Sequence, residues 1–550
     1  MVREGVEGEV VVSGPHLMDS VLTRRDALKL AAGIGATLGL GSLVSACGES
    51  NDDSSYSPAA ASSSAASEPT KGGHVRSGIT GGSTNDDLDV HFRTSEPEIA
   101  MSYQLYESLL GWDEQHNLIK QLVESYEHNA DGSEHTVRLK AGLEFHSGKT
   151  VTSDDVIWTY ERILSPKTFA NGRESLRGLR PGSVKKLDDR TVRFVLEEPN
   201  AVFHEGLATV NNAIVPVGFE PKDAAGAIGT GPWIVERFDP GQQAELRANP
   251  NYWGEGPYAD RLTLVCFADP TSRLNALLGG TVDHIGYVDG TQAKVVDSTA
   301  GLTLLQAKSG GWRPFTMRVD QPPFDDERVR QAFRLIVDRE QMINQALSGY
   351  GSPGNDMYGV FDPGYPRDLP QRVQDLEQAK SLLEQAGQQG LSVELVTSTG
   401  VGPGMVAAAQ VFAEQAKGAG VTVKVNQVDP SIMWGESYLK WTFAQDYWPT
   451  HDYLAQAAFC SLPSARLNET HWRDAEWLGI VNEAFRTVDE TRRNELVGAA
   501  ARIEYERGGL LIWEWDTALD GHSNNLSGVV PDVDGLSACR YRYNLMYFTA

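Results

Sequence analysis

Only one stretch of this sequence is apolar enough to belong in a membrane, Leu30 to Ala46, and it ends against a cysteine, Cys47. At 17 residues, and broken by repeated glycines, it falls short of the roughly 20 strongly apolar residues that a bilayer-spanning helix needs. It therefore reads as an export segment, not an anchor. Nothing further along could span a bilayer, so the rest of the chain must bury its apolar residues in cores of its own. A single core stops growing at roughly 250–300 residues, which predicts two or three domains in a 550-residue chain. The formal net charge of −26 makes nucleic acid a poor partner. That charge describes a solvated acidic shell and does not choose a substrate. Cys47, Cys266, Cys460 and Cys539 stand too far apart for a CxxC metal or redox site. With Cys47 set aside, at most one disulfide can form.

The first seventy residues act as an address. Arg24 and Arg25 precede the apolar run in a segment similar to a twin-arginine export signal, with Ala27 where a bulkier residue is usual. Sec export is the alternative. Leu43-Val44-Ser45-Ala46 look like a bacterial lipobox, in which small side chains let a peptidase reach the backbone before the cysteine. Cys47 is thus expected to carry lipid, and two or three acyl chains suffice for stable anchoring. Residues 48–70 are rich in Ser, Ala and acidic residues and cannot bury enough apolar area to order themselves. They read as a tether reaching about 25 Å.

From Lys71 onward an ordered series of segments resembles the peptide/nickel-type (family five) extracellular solute-binding proteins. The series opens with Gly72-Gly73-His74-Val75-Arg76 and Asn85-Asp86-Asp87-Leu88-Asp89, with Val90 where proline is usual. It continues through Leu143-Glu144-Phe145-His146-Ser147-Gly148-Lys149-Thr150 with Asp154-Asp155-Val156 and Tyr160-Glu161-Arg162, then Gly229-Thr230-Gly231-Pro232-Trp233 and Asn249-Pro250-Asn251-Tyr252-Trp253. Arg328-Val329-Arg330-Gln331-Ala332-Phe333 and the amphipathic run from Gln378 to Gly387 complete it. Read physically, Ser147-Gly148 is a turn, Thr152 with Asp155 is a capping box for the helix that follows, and Gly387 stops a helix.

The resemblance implies an α/β, two-lobed periplasmic-binding-protein-like fold (type II, cluster C-like) with an extra subdomain on the first lobe. The expected parts are residues 71–112, 227–312 and 501–550 for the first lobe, 113–226 for the subdomain and 313–500 for the second lobe. The function implied is that of an extracytoplasmic lipoprotein, a monomer on the outer face of the cell membrane. It would capture a peptide between its lobes and deliver it to the permease of an ABC importer, with no cofactor or metal. An oligosaccharide, an opine or a nickel complex would suit the same role.

Catalysis has no visible seat. Ser147-Gly148-Lys149-Thr150 ends like a P-loop, but Leu143 stands where the leading glycine belongs. No HExxH or GxSxG occurs. A secreted hydrolase or a partner-binding chaperone is the lesser reading. A solute site calls for an aromatic cleft with a few placed charges, and the densest candidate runs from Trp441 to Asp452. There Asp446 falls where peptide-binding members of the family present an aspartate to the ligand's ammonium group, with Phe443, Tyr447 and Trp448 as walls. Arg93 and Ser95 lie in a segment that lends backbone groups to ligands in the family. Trp233 near one crossing, and Trp312 and Arg313 at the expected hinge, complete the candidate set.

Overall fold

The computed structural model describes residues 68–549, apart from Thr94 and Phe169. The export segment with Arg24 and Arg25, the lipobox and Cys47 lie outside the described residues. Among the described residues, no helix is long and apolar enough to cross a membrane.

Two mixed sheets organise the chain. The first has seven strands, in the spatial order Leu302–Lys308, Thr517–Ser523, His284–Ile285, His74–Thr80, Arg261–Phe267, Gln243–Ala248 and Trp233–Asp239. Its centre is parallel, His74–Thr80 pairing in that sense with both Arg261–Phe267 and His284–Ile285. Such a centre is buried on both faces, and Val75, Ile79, Leu262 and Leu264 are all core residues. The second sheet has five strands, ordered Thr422–Gln427, Ser392–Thr397, Phe443–Gln445, Phe315–Met317 and Leu510–Leu511.

An antiparallel four-stranded sheet, ordered Val123–His128, Glu134–Leu139, Thr191–Val195 and Val184–Asp188, forms the body of the inserted subdomain. Glu134–Leu139 alternates half-buried and buried residues, the period-two signature of a sheet with one wet face. Helix Ser153–Leu164 covers the other face, and the expected capping box opens it: the Thr152 side chain pairs with the N3 backbone while Asp155 accepts from the Thr152 N–H at 3.0 Å. Asp155 is also ion-paired to Lys149. The Ser147–Thr150 string is therefore a turn tied to a helix start.

Two crossings join the lobes. The chain leaves the first sheet after Lys308 and enters the second at Phe315; it returns between Trp515 and Thr517. The crossings run side by side, Ser309 N–H donating to Asp516 O at 2.9 Å and Asp516 N–H to Gly311 O at 2.8 Å. The sequence assigns everything after residue 500 to the first lobe, and here the structure differs. Leu510–Leu511 pairs with Phe315–Met317, and helix Glu490–Arg507 packs through Leu496, Val497, Ala500 and Ala501 into a core shared with Trp477 and Tyr453. The helix follows its apolar face into that core, which the resemblance used to place the boundary does not report.

Candidate functional site

Between the lobes lies a cavity of about 1010 Å³, at the upper end of the usual size for solute sites. Its floor is the pair of crossings, and its mouth is narrowed where the subdomain meets the second lobe. There Ala201 N–H donates to Phe485 O at 2.7 Å and Arg466 pairs with Glu174 at 3.3 Å.

The second-lobe wall is aromatic. Trp312 and Trp448 exchange backbone hydrogen bonds of 2.9 and 2.8 Å, and their rings lie 6.2 Å apart at 26°. The stack continues inward through Tyr358, 5.8 Å from Trp312, and Tyr453, 4.8 Å beyond it, so the wall is braced by the core. The Trp448 indole N–H donates to Glu469 at 3.0 Å. Tyr447 also lines the cavity, edge-on to Trp434 at 6.0 Å.

The first-lobe wall carries Tyr103, Tyr287 and Tyr541. Tyr103 stacks on Tyr541 at 5.6 Å, and the hydroxyls of Tyr287 and Tyr541 are 3.2 Å apart. Tyr541 ends a run from Ala538 to Tyr541 in which every φ is positive, between 52° and 60°. Left-handed backbone costs a non-glycine residue about 1–2 kcal/mol, and strain of this kind persists where surroundings over-determine it. Here Asp520 accepts from the Ala538 N–H at 2.7 Å and from the Tyr287 N–H at 3.2 Å. The result is that Arg540 and Tyr541 are presented together on the wall.

Charge pairs brace the cleft. Arg313 forms a two-pronged contact with Asp516, at 2.7 and 2.8 Å, and lies 3.7 Å from Glu514. It thus fastens the first crossing to the second. Arg540 bonds Asp532 and Asp534. Asp534 also accepts from His116 Nδ1 at 2.5 Å, while His116 Nε2 faces Asp452 of the second lobe at 3.4 Å. The imidazole lies flat on Trp112, ring centres 4.3 Å apart. Burial alone would push the His116 pKa down, but Asp452 and Asp534 outweigh it and hold it at about 10. The imidazole is therefore a cation joining two carboxylates on opposite sides of the cleft.

Of the nine ligand-site residues expected from sequence, Arg93, Trp312, Arg313, Tyr447 and Trp448 line this cavity. The other four do not, each for a physical reason. Phe443 is 1% exposed, among Phe315, Phe324, Phe333 and Phe412 in the second-lobe core, because a strand alternates its faces and Phe443 points inward. Trp233 is a first-lobe core residue, beside Gly231, where any Cβ would stand 2.3 Å from Gln104 O. Ser95 is the N-cap of helix Glu96–Leu105, reciprocated by Glu98. Asp446 lies behind the wall, lining a separate small pocket of about 10 Å³. It accepts from the Tyr438 hydroxyl at 3.1 Å and from the Tyr447 N–H at 2.7 Å.

Sequence reasoning missed His116, Asp452, Asp534, Arg540 and the tyrosines. They come from segments hundreds of residues apart, and only Asp452 stood inside the aromatic stretch already singled out. Cys266, Cys460 and Cys539 are all unpaired. Among the described residues, no group of His, Cys, Asp and Glu could hold a metal.

Residues 117–461 match the family model for bacterial extracellular solute-binding proteins, family 5. The chain is 26% identical over 468 residues to di/tripeptide-binding protein 2 of Pseudomonas aeruginosa (strain UCBPP-PA14), covering 78% of this chain and 87% of that one. It is 25% identical to the dipeptide-binding protein of Escherichia coli (strain K12), covering 76% and 84%. Its fold is similar to that of the oligopeptide-binding protein AppA from Bacillus subtilis, solved with a nonapeptide: the TM-score is 0.71 at 22% identity, covering 88% of this chain and all of that one.

Proposed function

The chain belongs to the bacterial extracellular solute-binding proteins, family 5, and from that premise we propose that its solute is a peptide, held in the interlobe cavity and handed to the permease of an ABC importer. Proteins of this family bind solutes without transforming them, so the protein is not an enzyme. The observation that carries the peptide reading is the wall itself: two braced aromatic faces separated by fixed charges, the combination that buries side chains of varied shape while orienting polar backbone. The two peptide-binding relatives support it.

Arg93, Trp312, Arg313, Tyr447 and Trp448 are proposed to touch the ligand. Asp446 acts through Tyr447, whose backbone N–H it holds, as a positioning residue. Lipid on Cys47 would keep the protein at the membrane, with residues 48–70 as its tether. The test is a thermal-shift screen of the purified mature protein against dipeptides to pentapeptides, oligosaccharides, opines and nickel–histidine. A ligand at 100 times its dissociation constant stabilises by about 2.7 kcal/mol. Stabilisation by peptides supports the reading; stabilisation confined to sugars, opines or nickel complexes replaces it.

A further inference from the structure

The carboxylates on the cavity wall are nearly all spent. Asp516 is engaged by Arg313, Asp534 by Arg540 and His116, Asp452 by His116, and Glu174 by Arg466. Asp289 caps helix Gly290–Ser298 through Oδ1, accepting from the backbone of Thr291 and Gln292 at 2.8 Å, while its Oδ2 is buried without a partner and burial raises its pKa. Glu96 is pushed up to about 8 by burial, against the pull of Arg273. Burial, then the neighbouring Asp452 and Asp362, lift Glu205 well above its ordinary range. Glu96 therefore holds its proton at neutral pH, and Glu205 is shifted in the same direction.

Three arginines on the same wall are not spent. Among the described residues, Arg93, Arg173 and Arg177 have no carboxylate within ion-pairing distance. Among the described residues the Arg93 side chain donates to a neutral amide, Asn211 Oδ1 at 2.7 Å, and its Nε is buried without a partner. Arg177 sits over the Phe485 ring at 4.4 Å with a buried, unpartnered Nη1. The segments are fastened together: Asn171, which opens the short helix Asn171–Leu176 carrying Arg173, donates to Arg93 O at 2.6 Å and to His91 O at 2.9 Å. All three side chains line the cavity. A guanidinium removed from water without a counter-charge is costly, and burial pulls the pKa of Arg93 and Arg177 downward. The protein carries this cost within an otherwise acidic molecule.

We propose that Arg93, Arg173 and Arg177 form an anion-receiving wall, so that the preferred solute carries a net negative charge on two or more carboxylates. This rests on the cleft being the solute site. A zwitterionic dipeptide brings one carboxylate and one ammonium. Here its ammonium would find most wall carboxylates already engaged or shifted toward the neutral form, with Asp289 Oδ2 the exception, and its single carboxylate would leave most of the positive wall unmatched. A ligand with several carboxylates meets guanidinium forks that accept planar oxyanions in a two-pronged way.

Calorimetry on the mature protein with Asp-Asp, Ala-Ala, Lys-Lys and tricarballylate separates the possibilities. Asp-Asp should bind at least about tenfold tighter than Ala-Ala in 50 mM salt, and the gap should narrow in 500 mM salt as screening shortens. Arg177→Gln and Arg173→Gln should each shrink that gap, while Arg177→Lys, which keeps the charge, should retain most of it. Lys-Lys should not bind. Ala-Ala or Lys-Lys binding as tightly as Asp-Asp would overturn the anionic wall and leave the peptide reading intact. Binding of tricarballylate with no peptide binding would do the reverse. Absence of binding by every anionic probe, in protein that melts cooperatively, would also overturn it.

Discussion

His116 joins charges on both sides of the cleft, so its replacement tests whether closure is driven by the contacts described. An imidazole of ordinary pKa 6.5 is held at about 10. At about 1.4 kcal/mol per pH unit, that shift corresponds to roughly 5 kcal/mol of preference for the cation. Asp452 and Asp534 both supply it; Asp534, at 2.5 Å, stays with His116 when the lobes part. The Asp452 contact, at 3.4 Å, is the part made only on closure. Assigning it about 1–2 kcal/mol, His116→Gln should weaken solute binding about five- to thirtyfold. It should also reduce the ligand-induced drop in radius of gyration seen by small-angle scattering. The pH sense follows from a raised pKa: closure adds Asp452 to an imidazolium that Asp534 already holds, so the gain is present at neutral pH and is lost as pH rises toward about 10; wild-type affinity should decline there and the variant's should decline less. Calorimetry against the tightest peptide of the screen, at pH 6.5, 8 and 9.5, is the assay. Unchanged affinity, unchanged pH profile and unchanged compaction in the variant would refute the latch.

Asp446→Asn should weaken a free-amine peptide and its N-acetylated form equally, by less than about tenfold, because the loss is part of a hydrogen bond that positions Tyr447; a loss confined to the free amine in calorimetry would put Asp446 in direct contact with the ammonium. Phe443→Ala empties a site ringed by four other phenylalanines and should cost about 3–5 kcal/mol in denaturant unfolding with solute affinity unchanged in the folded protein; lost affinity without lost stability would contradict the core assignment. Glu96 and Glu504 keep their protons natively to about pH 8 but lose them near 4.5 when unfolded. Between pH 6.5 and 8 the melting temperature should therefore fall as pH rises, each group contributing up to about 1.4 kcal/mol per unit; a rising melting temperature there would show that these carboxyls ionise normally. Cys47→Ser should abolish incorporation of labelled palmitate, and labelling that survives the change would remove the lipid anchor.

Local signals carried a good deal of this protein. The capping box at Thr152 and Asp155, the glycine stop after helix Leu376–Gln385 and the alternation of Glu134–Leu139 each depend on residues within a few positions of one another, and each is legible without a fold. The family pattern added the two-lobed architecture and the solute-binding role. Trp312, Arg313, Tyr447 and Trp448 were reachable because aromatic and charged residues cluster near the hinge in sequence as well as in space.

What needed the tertiary structure was the sorting of like residues into unlike roles. Phe443 and Trp448 are five positions apart on one segment and both are buried, yet only Trp448 also borders the cavity, because the strand ends between them and the chain bends toward the crossing. Asp446 matches its expected position in sequence, but two donors turn its carboxylate away from the cavity. The latch unites His116, Asp452 and Asp534, and the unmatched guanidiniums belong to residues 93, 173 and 177. A charge counts as paired or unpaired only through distances between segments far apart in the chain. Long-range pairing of this kind leaves no periodicity in the sequence, so the chemistry of the cleft emerges only when both sheets and the subdomain are folded around it.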